Sequence, residues 1–239
     1  MDEAKMYGDN CCFLTLTFDE DHLPENGSIS KRDLQLFMKK LRKAVGKVRF
    51  FACGEYGDKY ARPHYHLALF GIPVDSPVFL DRIYNPKRRI WTCRMKEWPA
   101  GFAAVGHLTV DSANYIAGYM VKKVKGKGAK EHYKKLGKEP EFALMSRKPG
   151  IGSEFLKEHA ERLHDLDFMV AKGVKYPLPR YYRDKLFTDE EKALKSFNNL
   201  EEQVGVPVYE SPEMMRLRRE QFVLNFNARR ELKEKPLND

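Results

Sequence analysis

The sequence predicts an α+β fold in which strands and helices alternate and one pair of strands is a hairpin. Three observations carry this. Cys11–Phe18 and Val48–Tyr56 are apolar, β-branched and aromatic runs of strand length. Between them Leu34, Phe37, Met38, Leu41 and Val45 recur at helical spacing. Arg62–Gly71 is a further apolar run, separated from Val48–Tyr56 only by turn-forming residues from Gly57 to Pro63.

Taken in order, the first strand alternates. Leu14, Leu16 and Phe18 share one face, and Phe13, Thr15 and Thr17 share the other. A polar loop, Asp19–Gly27, follows. Ser30 is suited to cap the next helix, with Asp33 three residues on as an imperfect capping box, and Gly46 suits its end. In the hairpin, His64 and His66 stand two residues apart, so both imidazoles point one way and Tyr65 the other. The turn folds Glu55 back beside them. Two imidazoles and a carboxylate leave coordination positions open, which suits Mg²⁺ or Mn²⁺ in a catalytic site better than a closed zinc site.

Residues 73–100 read as an irregular insertion, with Pro77, Pro86 and Pro99, the basic run Lys87-Arg88-Arg89, and Trp91 and Trp98. Such a segment could hold single-stranded nucleic acid by charge and stacking, or its tryptophans could cover the core. Gly106–Val110 reads as a short strand, and Asp111 or Ser112 as the cap of a helix from Ala113 to about Val124. On that helix Tyr115, Tyr119 and Lys123 fall at i, i+4 and i+8 and share a face, with Lys122 adjacent. Ile116, Met120 and Val124 form a second stripe able to bury against a sheet.

Lys122–Lys138, which includes Lys125 and Lys127, carries eight lysines against one acid, Glu131, and reads as a phosphate-tracking loop. Glu141–Met145 is a candidate last strand. Ser146–Gly152, with Arg147 and Lys148, has the ingredients of a phosphate cradle without a P-loop pattern. Residues 172–180 form a proline-punctuated link, and beyond about Thr188 the chain is charged and helical in pattern. The expected division is a domain over 1–185, with the insertion at about 73–100, and a C-terminal extension over 186–239.

Composition narrows the partner. A formal charge of +9 favours a polyanion, most simply nucleic acid. Cys11, Cys12, Cys53 and Cys93 lack any Cys-x-x-Cys spacing and read as free thiols of a reducing compartment. No apolar run is long enough to span a bilayer, and the N-terminus lacks a signal-peptide pattern, so the expectation is a soluble, cytoplasmic protein with no membrane partner.

Together the two constellations suit phosphoryl chemistry. A bound cation polarises a phosphoryl oxygen. A phenol, weak as a nucleophile at its ordinary pKa of about 10, is favoured in its phenolate form by that cation and by Lys122 or Lys123. A tyrosine could then attack a phosphodiester and keep one fragment as an ester. Two tyrosines one helical turn apart could take turns, as rolling-circle replication requires.

The stretches Phe13–Phe18, Gly54–Gly57 with Arg62–His66, and Tyr115–Lys123 resemble, in order and spacing, the three motifs of the HUH-endonuclease replication initiators of small single-stranded DNA phages. The microviruses are the nearest group, and their gokushovirus branch in particular; Met145–Gly152 resembles the same branch. The resemblance implies an antiparallel sheet with an RRM/ferredoxin-like β-α-β-β-α-β core and flanking helices. It implies Mg²⁺ or Mn²⁺ on His64, His66 and Glu55, nucleophiles at Tyr115 and Tyr119, and Lys122 or Lys123 steadying the scissile phosphate. Arg62, Lys125, Lys127, Arg147 and Lys148 are the candidate DNA contacts. The implied reaction nicks and rejoins single-stranded DNA at a phage origin through a 5′-phosphotyrosine. The freed 3′-hydroxyl would prime a host DNA polymerase, and a host helicase would unwind in the bacterial cytoplasm. The competing readings are a relaxase- or transposase-type nuclease of the same chemistry, a non-catalytic RRM-like nucleic-acid-binding protein, and a metallohydrolase using activated water.

Overall fold

A computed structural model describes the chain except residues 25, 58–60, 123–128, 172, 205–215, 217–218 and 225–239; the side chains of 119–122, 129–130, 171 and 197–204 are also undescribed. The described residues fall into two compact units, Met1–Phe155 and Leu156–Asp239.

The first unit runs α1 (Asp2–Lys5), β1 (Cys11–Phe18), α2 (Lys31–Val45), β2 (Arg49–Tyr56), β3 (Pro63–Phe70), β4 (Leu80–Asn85), β5 (Ile90–Arg94), β6 (Gly101–His107), α3 (Val110–Lys122), α4 (Ala129–Lys135) and β7 (Phe142–Met145). Its strands form one seven-stranded sheet in the order β4-β5-β6-β1-β3-β2-β7, and every neighbouring pair is antiparallel. The fold is thus α+β, with helices flanking an antiparallel sheet. The central order β6-β1-β3-β2, with α2 joining β1 to β2, is the ferredoxin-like arrangement. The second helix, α3, follows β6.

Helix α2 forms where its caps and stripe predict. The Ser30 side chain accepts from the Asp33 N–H, and Gly46 ends the helix at φ 86°. Leu34, Phe37, Met38 and Leu41 are buried in one cluster with Leu14, Leu16, Ala52, Leu67 and Leu69. Burying each such side chain contributes about 1.5–3 kcal/mol, so this face of the sheet anchors the fold. Tyr65 is fully buried there, and its hydroxyl donates to the Ser30 carbonyl and accepts from the Ser30 N–H. The indole N–H of Trp98 donates to the Thr17 carbonyl, and its ring lies edge-on to Phe18 at 5.0 Å. Trp98 therefore covers the core, one of its two expected roles. Gly101 admits no side chain: a Cβ there would meet the Thr17 carbonyl oxygen at 2.2 Å.

Three expectations are corrected. Residues 73–100 are not irregular, because β4 and β5 form a hairpin that extends the sheet. The β4 pattern is exposed almost throughout, so there was no alternation to read. The strand expected at 106–110 lies at 101–107. Thr109 and Ser112 exchange backbone-to-hydroxyl hydrogen bonds, so α3 starts at Val110 and Thr109, rather than Asp111 or Ser112, is the capping residue. Within the stretch read as a link, β9 (Val174–Pro177) pairs with β8 (Phe168–Ala171).

The second unit holds most of α5 (Ser153–Glu158), then α6 (Ala160–Leu166), the β8–β9 hairpin, α7 (Arg180–Leu186) and α8 (Asp189–Val204). Leu163, Leu178, Tyr182, Phe187 and Ala193 are its buried residues. Among the described residues no helix is long and apolar enough to cross a membrane.

Candidate active site

The sheet face opposite α2 carries the candidate residues, and the register places them in rows. Glu55, His64, Thr17 and Phe102 are successive cross-strand partners on β2, β3, β1 and β6. One row along stand Cys53, His66, Thr15, Ala104 and Thr92. Side chains alternate along a strand, so one face collects His64, His66, Glu55, Thr15 and Thr17, and the other takes Tyr65 and the leucines.

His66 is held at both ring nitrogens. Its Nε2 lies 2.9 Å from Glu55 Oε1 and its Nδ1 lies 2.9 Å from Thr15 Oγ1. A carboxylate only accepts, so neutral His66 donates from Nε2 to Glu55 and accepts at Nδ1 from the Thr15 hydroxyl. His66 and Glu55 are buried, and Phe13 stacks on the imidazole with ring centroids 5.9 Å apart. His64 is half-buried, its ring centroid 6.3 Å from that of His66. Its Nδ1 is buried with no hydrogen-bond partner. Burial holds the His64 pKa below the ordinary imidazole value, against the opposing pull of Glu55. His64 is therefore a neutral imidazole at pH 7, the form that ligates metals. Gly57 keeps space beside it, since a Cβ there would sit 3.1 Å from His64 Nε2.

This donor set suits a divalent cation in its chemistry. It offers two neutral imidazoles, one with an orphaned nitrogen, a buried carboxylate, and a Thr15 hydroxyl holding the far nitrogen of His66 as outer partners of metal-bound histidines do. Among the described residues, however, no three His, Cys, Asp or Glu side chains are grouped to hold an ion. Glu55 and His66 are instead bonded to each other.

Helix α3 packs on β2 and β3. Its Ile116 is fully buried in a cluster with Cys53, Ala68 and Phe70, as its apolar stripe predicts. That contact turns Tyr115 toward the histidines. Its ring stands edge-on to His66 with centroids 5.2 Å apart, and edge-on to Phe13 at 6.3 Å, while 49% exposed. Tyr119 and Lys122 lie on the same helix, their side chains outside the described residues; Lys123, Lys125 and Lys127 fall outside them altogether.

A cleft of about 1100 Å³ opens on this face, lined by His64, His66, Glu55 and Tyr115 and, on its far side, by Arg88 and Arg89 of the β4–β5 turn. Arg62 does not line it: its guanidinium donates to Glu20 at 2.6 Å and to the Phe18 carbonyl at 2.7 Å. Arg147 and Lys148 are exposed beyond β7, past the end of β2 remote from Glu55. In the turn that follows, the buried Arg49 donates to the Pro149 and Gly150 carbonyls, and its partner Glu3 accepts the Gly152 N–H at 2.6 Å. Those backbone groups serve a buried ion pair.

The sequence reading missed Thr15, Phe13 and the Arg88–Arg89 pair as site residues. Alternation puts Phe13 and Thr15 on one face of β1, but only the register sets Thr15 opposite His66. Arg88 and Arg89 were visible as charge, without a position.

Fold and site define a class: a protein whose antiparallel sheet bears a histidine pair, a facing carboxylate and a helix-borne tyrosine on one open face. Residues 11–124 match the family model for replication-associated protein ORF2, and through this segment, which contains every one of those residues, the chain belongs to that family. It is 34% identical over 187 residues to replication-associated protein ORF2 of Spiroplasma virus 4, covering 71% of this chain and 56% of that protein. It is 29% identical over 195 residues to replication-associated protein VP4 of Bdellovibrio phage phiMH2K, covering 76% and 59%. It shows the same identity over 195 residues to replication-associated protein ORF4 of Chlamydia phage 1, covering 77% and 47%. The chain thus spans about half the length of these relatives. No solved structure matches it.

Proposed function

We propose that the chain acts in the replication of a small phage genome by nicking and rejoining single-stranded DNA at an origin, with Tyr115 and Tyr119 as nucleophiles. The observation that carries this reading is the edge-on contact of Tyr115 with His66, at 5.2 Å, on the open sheet face that also holds His64 and Glu55. The relatives' shared description as replication-associated proteins supports the biological role.

In the first step the Tyr115 oxygen bonds to phosphorus and the bond from phosphorus to the 3′-oxygen breaks. The phenol gives up its proton and the leaving 3′-oxygen gains one, so a 5′-phosphotyrosine and a free 3′-hydroxyl result. The ester keeps the phosphodiester's energy, so a 3′-hydroxyl can later displace the tyrosine without ATP. Tyr119, one helical turn on, is the second nucleophile, and Lys122 or Lys123 would steady the scissile phosphate. Held by His64, His66 and Glu55, Mg²⁺ or Mn²⁺ would supply Lewis-acid polarisation of a phosphoryl oxygen. Thr15 and Phe13 orient His66, and Phe13 also backs Tyr115. The freed 3′-hydroxyl would prime a host polymerase, with unwinding left to a host helicase.

A second reading, binding without cleavage, draws on the His66–Glu55 hydrogen bond, which engages two of the three donors with each other. One experiment separates the two. The protein is incubated with a randomised single-stranded DNA library and Mn²⁺, and SDS-resistant adducts are mapped by mass spectrometry. DNA linked to Tyr115 or Tyr119, and lost in the Tyr115→Phe/Tyr119→Phe variant, is the expected result. Adducts that survive in that double variant, or tight binding with no adduct in the wild type, overturn the proposed chemistry.

A further inference from the structure

One side of the site is roofed and the other is open. Helix α3 lies over β2 and β3, with Ile116 sealed against Cys53, Ala68 and Phe70. A strand reaching His66 and Tyr115 therefore cannot continue toward the β7 edge on this face. In the other direction the floor passes over Thr15 and Thr17 of β1 and then Ala104 and Gly106 of β6, whose small side chains leave a trough. Phe102 stands at its margin, directly across from Thr17 and 54% exposed. The far wall is the β4–β5 turn. There the Asn85 side chain accepts the Arg88 N–H, and Arg89 adopts a left-handed φ of 53°. Arg88 and Arg89 are exposed, and among the described residues neither forms a salt bridge.

We infer that single-stranded DNA leaves the site across β1, β6 and β5, with Arg88 and Arg89 gripping its phosphates and Phe102 stacking a base. This rests on reading the face as a site for single-stranded DNA, and it chooses between two basic regions. A guanidinium pair spaced from the histidines by three inter-strand steps, about 14 Å at roughly 4.8 Å per step, meets backbone phosphates flanking the reacting one. An exposed phenyl ring beside that track offers sequence-tolerant stacking. The Arg147–Lys148 turn has comparable charge but lies beyond β7, on the roofed side.

The test measures binding without cleavage, by anisotropy of a fluorescein-labelled mixed-sequence DNA 20-mer in EDTA. Arg88→Glu/Arg89→Glu is expected to weaken binding more than tenfold and to flatten the salt dependence by more than one unit of log–log slope, about 0.7 per lost phosphate contact. Phe102→Ala should weaken it about five- to a hundredfold, the range of one lost stacking contact. Arg147→Glu/Lys148→Glu makes the same change in net charge and should weaken it less than threefold. In the wild type, photocrosslinking with a bromodeoxyuridine-substituted 20-mer should label peptides within 84–107, a readout independent of how the variants fold. Equal losses from the two charge reversals, or crosslinks confined to 143–152, would overturn the inference. Because EDTA suppresses cleavage, failure here leaves the tyrosine chemistry standing, and absence of an adduct leaves this track standing.

Discussion

The two faces of the sheet use the same strands for opposite purposes. Along β3, Tyr65, Leu67 and Leu69 are fully buried in the core that α2 covers, while His64 and His66 point the other way. The covered face satisfies its few polar atoms completely, as the paired hydrogen bonds of Tyr65 to Ser30 show. The open face leaves the buried Nδ1 of His64 without a partner. An orphaned buried donor or acceptor costs about 1–3 kcal/mol. Stability is thus concentrated on one face, and the other carries polar groups that are useful only to something that binds there.

The largest expected effect comes from the covered face. Leu67→Ala should cost about 2–5 kcal/mol in urea unfolding, the usual range for a leucine cavity, and leave Mn²⁺ affinity of the folded protein unchanged. A loss under about 1 kcal/mol would break the assignment of stability to that face.

The second effect has the opposite character. His64→Leu should abolish Mn²⁺ binding, read by calorimetry, yet leave stability equal or higher because it removes an unpartnered buried nitrogen. Its pH signature has a definite sign. Burial lowers the pKa of His64 in the folded state, so the unfolded chain takes up the proton first. In EDTA, wild-type stability should therefore fall as pH drops through about 6.5, the unfolded value, until the folded protein is protonated as well. A pH slope unchanged in His64→Leu would show that the loss arises elsewhere.

The smallest effect sharpens the comparison most. Thr15→Val keeps shape and removes the hydroxyl that holds His66 Nδ1. It should weaken Mn²⁺ binding about 10–100-fold while Thr15→Ser restores it, with little change in stability for either. Equal Mn²⁺ affinity in the valine and serine variants would reduce Thr15 to a packing residue. No measurable Mn²⁺ binding in the wild type would remove the cation from the proposed reaction.

Much of this was legible from local pattern. The Ser30 cap, the Gly46 stop, the alternation of β1 and the hairpin facing Glu55 with His64 depend on residues close in sequence, and the structure repeats each. Tyr115 and Ile116 are adjacent on a helix and so diverge, one to the cleft and one to the core. The β4–β5 hairpin was not legible, because a strand exposed on both sides carries no period-two signal. The basic turn at 146–152 misled for a related reason: its charges and glycines suggested a ligand, but Glu3, far away in the chain, takes its Gly152 N–H.

The sequence alone determined which side chains share a face, since alternation and helical period are properties of the backbone. Only the tertiary structure decided which of them meet. Pairing of β1 with β3 set Thr15 against His66, pairing of β1 with β6 laid the trough beside them, and the packing of α3 roofed one exit and left the other open. These are contacts between segments distant in the chain, and no local rule encodes their register.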